Sequence, residues 1–193
     1  MLLRRCCCAK NETPIPARDM LQRLDSAAAS SAPTGGNTVT IKELQNEQNG
    51  FAIPTLRPGD SPTKFNDRFL KANGDAGVGT NADIRLNTSF VIPEFPAPIV
   101  LLYHEMAHAY NDTSGTMQRG QYAGANGNDP ANDSKDVGIN NAERQAVGLP
   151  NDGVLHDWDN NPATPKTRDM PIEITENGLR RELGLPDRAS YVF

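Results

Sequence analysis

The chain predicts an α+β fold in which a small twisted sheet supports one buried helix and a helical C-terminal part, the whole rich in loops. Three observations lead there. Residues 99–110, IVLLYHEMAHAY, follow Pro98 and open with five apolar residues, a run too continuous for a surface strand. Asp83-Ile84-Arg85-Leu86-Asn87 alternates polar and apolar, the period of a strand with one packed face. Residues 140–149 and 176–183 read as short helices stopped by Gly148 with Pro150 and by Gly184.

Taken in order, Pro14 to Leu24 holds an amphipathic helix candidate with Met20, Leu21 and Leu24 on one side. Ser26 to Asn37 (SAAASSAPTGGN) is small, polar and rich in breakers, a composition that buries too little surface to order itself. The expected division is therefore a flexible segment at 1–38 and one domain at 39–193. Structure resumes at Val39-Thr40-Ile41. Phe51-Ala52-Ile53 reads as a short strand ended by Pro54, and Asp67 to Lys71 as a helical turn before the Gly-rich 73–79.

The strand at 83–87 offers an open edge to an extended peptide, or is an ordinary edge strand; the pattern alone does not separate the two. Val91 to Pro98 carries three prolines and makes a rigid connection. Thr113 to Gly138 reads as a long surface loop bordering a cleft, and its Asp129, Asn132 and Asp133 do not match the spacing of a calcium-binding loop. The helix at 140–149 is expected to pack through Ile139, Ala142, Ala146 and Leu149. His156 and Trp158 fall in the loop that follows, Thr175 caps the last helix, and residues 185–193 form a tail.

Bulk properties narrow the function. A net charge of -5 and a pI near 5.2 (19 basic, 24 acidic residues) argue against a nucleic-acid partner. The three cysteines are consecutive, Cys6 to Cys8, so none staples the body, as suits a reducing compartment. Beside Arg4 and Arg5 they are either acylation sites or part of a polar tail. No apolar run reaches spanning length, and residues 1–5 lack the core of a Sec signal peptide.

The buried helix carries His104-Glu105-Met106-Ala107-His108. Histidines four apart leave one helix face a turn apart, placing two ring nitrogens around one point. Zinc accepts neutral imidazoles in tetrahedral geometry, and a catalytic site keeps a position for water, which the adjacent Glu105 can deprotonate. The ordinary alternative is a pair of core histidines satisfied by hydrogen bonds. It leaves Glu105 in want of a buried partner of its own.

A third protein ligand is needed. Metzincins place a glycine three residues and a histidine six residues past the second ligand, where this chain has Asn111 and Ser114. That leaves Glu143, on the next expected helix, or His156, in a loop; Glu143 is favoured because rigid elements hold precise sites. Arg188 and Tyr191 are the groups in the tail suited to stabilising negative charge on a carbonyl oxygen. Alone, such a pair is more often a terminus that packs or frays.

Together His104-Glu105-Met106-Ala107-His108-Ala109-Tyr110-Asn111, Ala142 to Pro150, and Thr175 to Pro186 with Arg188 and Tyr191 resemble the zinc metallopeptidases delivered by bacterial type III secretion, the group that includes the XopG and NleD effectors. The layout is also similar to clostridial neurotoxin light chains. The resemblance covers about the second half of the chain. It implies a zincin-like fold, one Zn2+ per chain on His104, His108 and Glu143, catalysis by Glu105, and transition-state help from Arg188 and Tyr191.

It further implies a zinc metalloendopeptidase acting as a monomer. Residues 1–38 would serve secretion and translocation by the type III system into the host cell cytoplasm, where host proteins, including signalling proteins, are the substrates. The rival expectations are a non-catalytic host-protein-binding effector that keeps the site as a structural zinc clip, and an adaptor tethered to membrane through acylated Cys6 to Cys8.

Overall fold

A computed structural model describes residues 16–28, 36–44 and 49–192. Cys6 to Cys8, the secretion role of the first residues and most of the 26–37 linker lie outside them. The elements run α1 (Pro16–Ala28), β1 (Val39–Glu43), β2 (Gly50–Thr55), β3 (Asn81–Leu86), α2 (Pro98–Ser114), α3 (Pro130–Asp133), α4 (Asn141–Val147) and α5 (Glu176–Glu182). The architecture is α+β: a mixed three-stranded sheet, with His-x3-His on α2 as in zincins.

The helix α2 is the axle of the fold. Pro98 stands at its start, where a missing N–H costs nothing. Val100, Leu101, Tyr103, Met106, Ala107 and Ala109 are buried, and so are His104, Glu105 and His108 between them. Buried along most of its length, it packs against β2, β3, α1, α4 and α5. Gly115 ends it in the left-handed region (φ 72°), where a side chain would also meet the backbone of Gly77 at 2.5 Å.

β3 lies between its neighbours, parallel to β1 and antiparallel to β2. Ala82, Ile84 and Leu86 are buried, as the alternation requires. The expected open edge is therefore not at 83–87. Alternation reports that one face is packed; it carries no information on how many strands lie alongside. Among the described strands β1 and β2 are the edges, and that placement lets β2 run through Pro54, whose missing donor would break an inner ladder. The turn expected at 67–71 comes earlier, as a 3-10 helix at Pro62–Arg68 capped by the Ser61 hydroxyl.

The N-terminal helix changes the expected division at residue 38. Met20 is 0% exposed and belongs to the same core cluster as Ile84, Tyr103, Met106, Ile174 and Leu179. The Tyr103 hydroxyl lies 2.6 Å from the Pro16 carbonyl and 2.7 Å from the Glu173 carbonyl, with one proton to share between them, and joins α1 to the segment before α5. In the described structure α1 is thus part of the folded body.

The stretch at 113–138 also differs from a plain surface loop. It finishes α2, buries Thr116, Met117 and Gln118, and folds α3 and a 3-10 turn that bury Asp133 and Asp136. Both carboxylates face Arg144 of α4, which is 0% exposed: Asp133 at 2.7 Å, and Asp136 in a shorter contact. The Arg144 guanidinium also lies 3.7 Å from the Tyr122 ring centroid and donates to the Pro150 carbonyl at 2.7 Å. The buried side of α4 is consequently polar, with Asn141, Arg144 and Gln145 beside Ala146 and Val147.

Two substitutions test these packings by urea unfolding. Met20→Ala is expected to destabilise by about 2–5 kcal/mol, the cost of emptying a packed methionine site; a change within about 0.5 kcal/mol would detach α1 from the core. Arg144→Leu is expected to cost about 3–5 kcal/mol, because it strands two buried carboxylates.

Candidate metal centre

Two elements deliver the central groups. His104 and His108 project from one face of α2, and α4 brings Glu143 against them; Gly148 (φ 88°) ends α4 where a side chain would strike the Thr175 hydroxyl at 2.5 Å. The His104 Nε2 to His108 Nε2 distance is 3.2 Å, His108 Nε2 to Glu143 Oε2 is 3.0 Å, and His104 Nε2 to Glu143 Oε2 is 3.5 Å. Zinc with bonds of about 2.0–2.1 Å in tetrahedral geometry sets its ligands about 3.3–3.4 Å apart. The triangle is of that size.

The protonation chemistry points the same way. His104 Nδ1 lies 3.0 Å from Glu176 Oε2. Glu176 is 0% exposed; burial works against its charge, yet the bond from His104 and the fields of Arg188 and Arg180 hold its pKa below the ordinary value. An ionised acceptor there places the proton on Nδ1. Neutral His104 then turns a bare Nε2 lone pair towards the Glu143 carboxylate and the Nε2 of His108.

Acceptors aimed at acceptors repel unless positive charge lies between them. In protein alone a proton fills that need: burial opposes it, but hydrogen bonds to Glu143 and Glu176 and the field of Glu105 hold the His104 pKa up at about 10. Glu143 is correspondingly held far below the usual carboxylate range, burial being outweighed by the two histidines. A divalent cation satisfies the same demand with a matching donor set, so these three residues fit zinc.

Six of the seven residues singled out from the sequence line one cleft of about 590 Å3: His104, Glu105, His108, Glu143, Arg188 and Tyr191. His156 is elsewhere. Its ring stands edge-on to Trp158 at 4.6 Å, and Nδ1 donates to the Gly74 carbonyl at 2.8 Å. The Tyr191 ring centroid lies 6.3 Å from that of His104, and burial together with the nearby Glu143 carboxylate raises its phenol above the ordinary value, keeping it protonated. Arg188 donates to Glu176 Oε2 at 2.9 Å and to the Tyr191 carbonyl at 2.5 Å.

Two groups escaped sequence reasoning. Glu176 reads as an ordinary first-turn acid behind the Thr175 cap, and the available signal was its pairing with Arg180 one turn on, at 3.2 Å. Asp136 reads as a loop residue. It accepts from the backbone amides of Tyr191 at 2.8 Å and Val192 at 2.9 Å while pairing with Arg144, and so ties the C-terminal strap to α4.

A buried helix bearing His-Glu-x-x-His, a carboxylate brought to it from a later helix and an open cleft define the zincin class of metallopeptidase site. The comparison with protein families agrees: residues 12–191 match the Peptidase M91 family, described as effector protein, and the chain belongs to that family. No curated protein and no solved structure gives a significant match.

The metal assignment is open to a direct test. Protein stripped by a chelator should regain one zinc per chain, and zinc at 100 to 1,000 times its dissociation constant should stabilise the fold by about 3–4 kcal/mol. Glu143→Gln should weaken zinc binding and, at neutral pH, also lower the midpoint of the stripped protein, since it removes the carboxylate that holds the His104 proton; an unaltered zinc affinity would remove Glu143 from the ligand set.

Proposed function

We propose that this protein is a zinc endopeptidase delivered as a bacterial effector into a host cell, where it hydrolyses internal peptide bonds of host proteins. Membership of the Peptidase M91 effector family supports the class. The observation that carries the reading is the three acceptors converging in an open cleft whose wall also includes Glu105. The resemblance to type III effectors supports that secretion route and a host cytoplasmic site of action. No described helix is long and apolar enough to cross a membrane.

His104, His108 and Glu143 would hold the zinc. Bound there, zinc supplies Lewis acidity and lowers the pKa of water at the site. Glu105 takes a proton from the attacking water at its carboxylate and delivers it to the nitrogen of the departing amine as the C–N bond breaks. The protonated Tyr191 phenol and the Arg188 guanidinium donate to the oxygen on which negative charge develops. Glu176 keeps the His104 ring turned and in its Nδ1–H tautomer, and holds Arg188 on the same wall of the cleft.

Glu105→Gln separates this reading from a structural zinc clip. The variant is expected to keep its zinc and its unfolding midpoint while cleavage falls by about 10²–10⁴-fold. The measurement compares new N-termini in host-cell lysate treated with each protein, alongside metal analysis. Undiminished cleavage by Glu105→Gln, or a wild type that binds zinc and cuts nothing, would leave the clip.

A further inference from the structure

The cleft of the metal centre adjoins a second cavity of about 620 Å3, and the two share Phe69, Gln118 and Arg119 in their walls. This shared wall is built rather than incidental. Gln118 is buried and fixed by bonds to the backbone of Val154 and Arg168. The Arg119 guanidinium lies 4.0 Å from the Phe69 ring centroid and has one further bond, to the Asn66 carbonyl at 3.3 Å.

The other cations of the cleft are engaged: Arg68 with Asp112 at 3.4 Å, Arg188 with Glu176 at 2.9 Å. Among the described residues no carboxylate pairs with Arg119. The carboxylates of the adjoining cavity are also engaged, Asp67 with Lys64 at 3.2 Å and Asp152 with the amides of Ala123 and Asn126. Asp152 keeps its own charge, since amides are neutral donors; among the residues shared by both cavities, Phe69, Gln118 and Arg119, the charge is that of Arg119 alone.

A guanidinium resting on an aromatic ring is weakly hydrated, keeps its planar donor fork exposed and has lost part of its rotamer freedom in advance. That is a receptor for an oxyanion. We propose that Arg119 is a specificity-determining residue of the cleft, seating an oxyanion-bearing side chain of the substrate, carboxylate or phosphate, to one side of the bond that is cut. The proposal rests on the peptidase reading above.

The test uses the full zinc-loaded chain and synthetic dodecapeptides carrying Glu, phosphoserine, Gln or Lys at each position in turn. At one position Glu or phosphoserine should exceed Gln by roughly tenfold in kcat/KM, and the ratio of the two anionic series identifies which oxyanion is preferred. Arg119→Gln should abolish that preference and Arg119→Glu should invert it towards Lys, with zinc content unchanged. No anionic preference in the wild type, or a preference that survives Arg119→Gln, overturns the proposal and leaves the peptidase standing. Binding of the same peptides to Glu105→Gln, read by fluorescence anisotropy, separates the two ideas: Arg119-dependent binding of anionic peptides with no wild-type cleavage refutes the peptidase and keeps the subsite, whereas neither binding nor cleavage refutes both.

Discussion

The structure depends on a demand for positive charge. Two imidazole nitrogens and a carboxylate oxygen are held 3.0–3.5 Å apart, so their lone pairs would face one another unless a proton or a cation stood between them. Protein interiors tolerate such an arrangement only where positive charge is available to fill it. Much of the surrounding architecture serves to keep these groups from rotating away. The helix α2 is buried along most of its length, so its histidines reach solvent only through the cleft, and Glu176 fixes the far edge of the His104 ring.

The second layer is ionic as well. Arg144, directly after Glu143, is clamped by Asp133 and Asp136, and Asp136 in turn gathers the amides of the C-terminal strap. Arg188 joins that strap to Glu176. One connected set of charges thus fixes α4, α5 and the tail relative to α2. A repacked apolar core of equal stability would not specify the angle at which Glu143 meets the histidines; directional bonds do.

The sequence discloses the parts of this design that follow from local spacing. His104, Glu105 and His108 are separated by helical period, Pro98 and Gly115 bracket their helix, and Thr175 caps α5 with its hydroxyl accepting from Gly178. Glu143 was legible from the economy of a rigid third donor. What stayed hidden is non-local. The middle position of β3 depends on pairing with segments far along the chain, and alternation is indifferent to it. The burial of Asp133, Asp136 and Arg144 was masked because acids in a Gly- and Asn-rich stretch ordinarily face water. Met20 was seen as one side of an amphipathic helix, but nothing in a periodic pattern names the surface against which that side packs.

The fastening of the strap has a consequence for telling chemistry from architecture. Asp136 grips residues 191 and 192 through their peptide N–H groups, and Arg188 reaches the carbonyl of 191. Those anchoring bonds run through the backbone, while the phenol is engaged separately, with the Glu143 carboxylate. An aromatic ring without its hydroxyl gives up the bond to Glu143 and keeps the backbone ties of the strap, so evolution or an engineer can exchange the group over the cleft while the segment that presents it stays anchored.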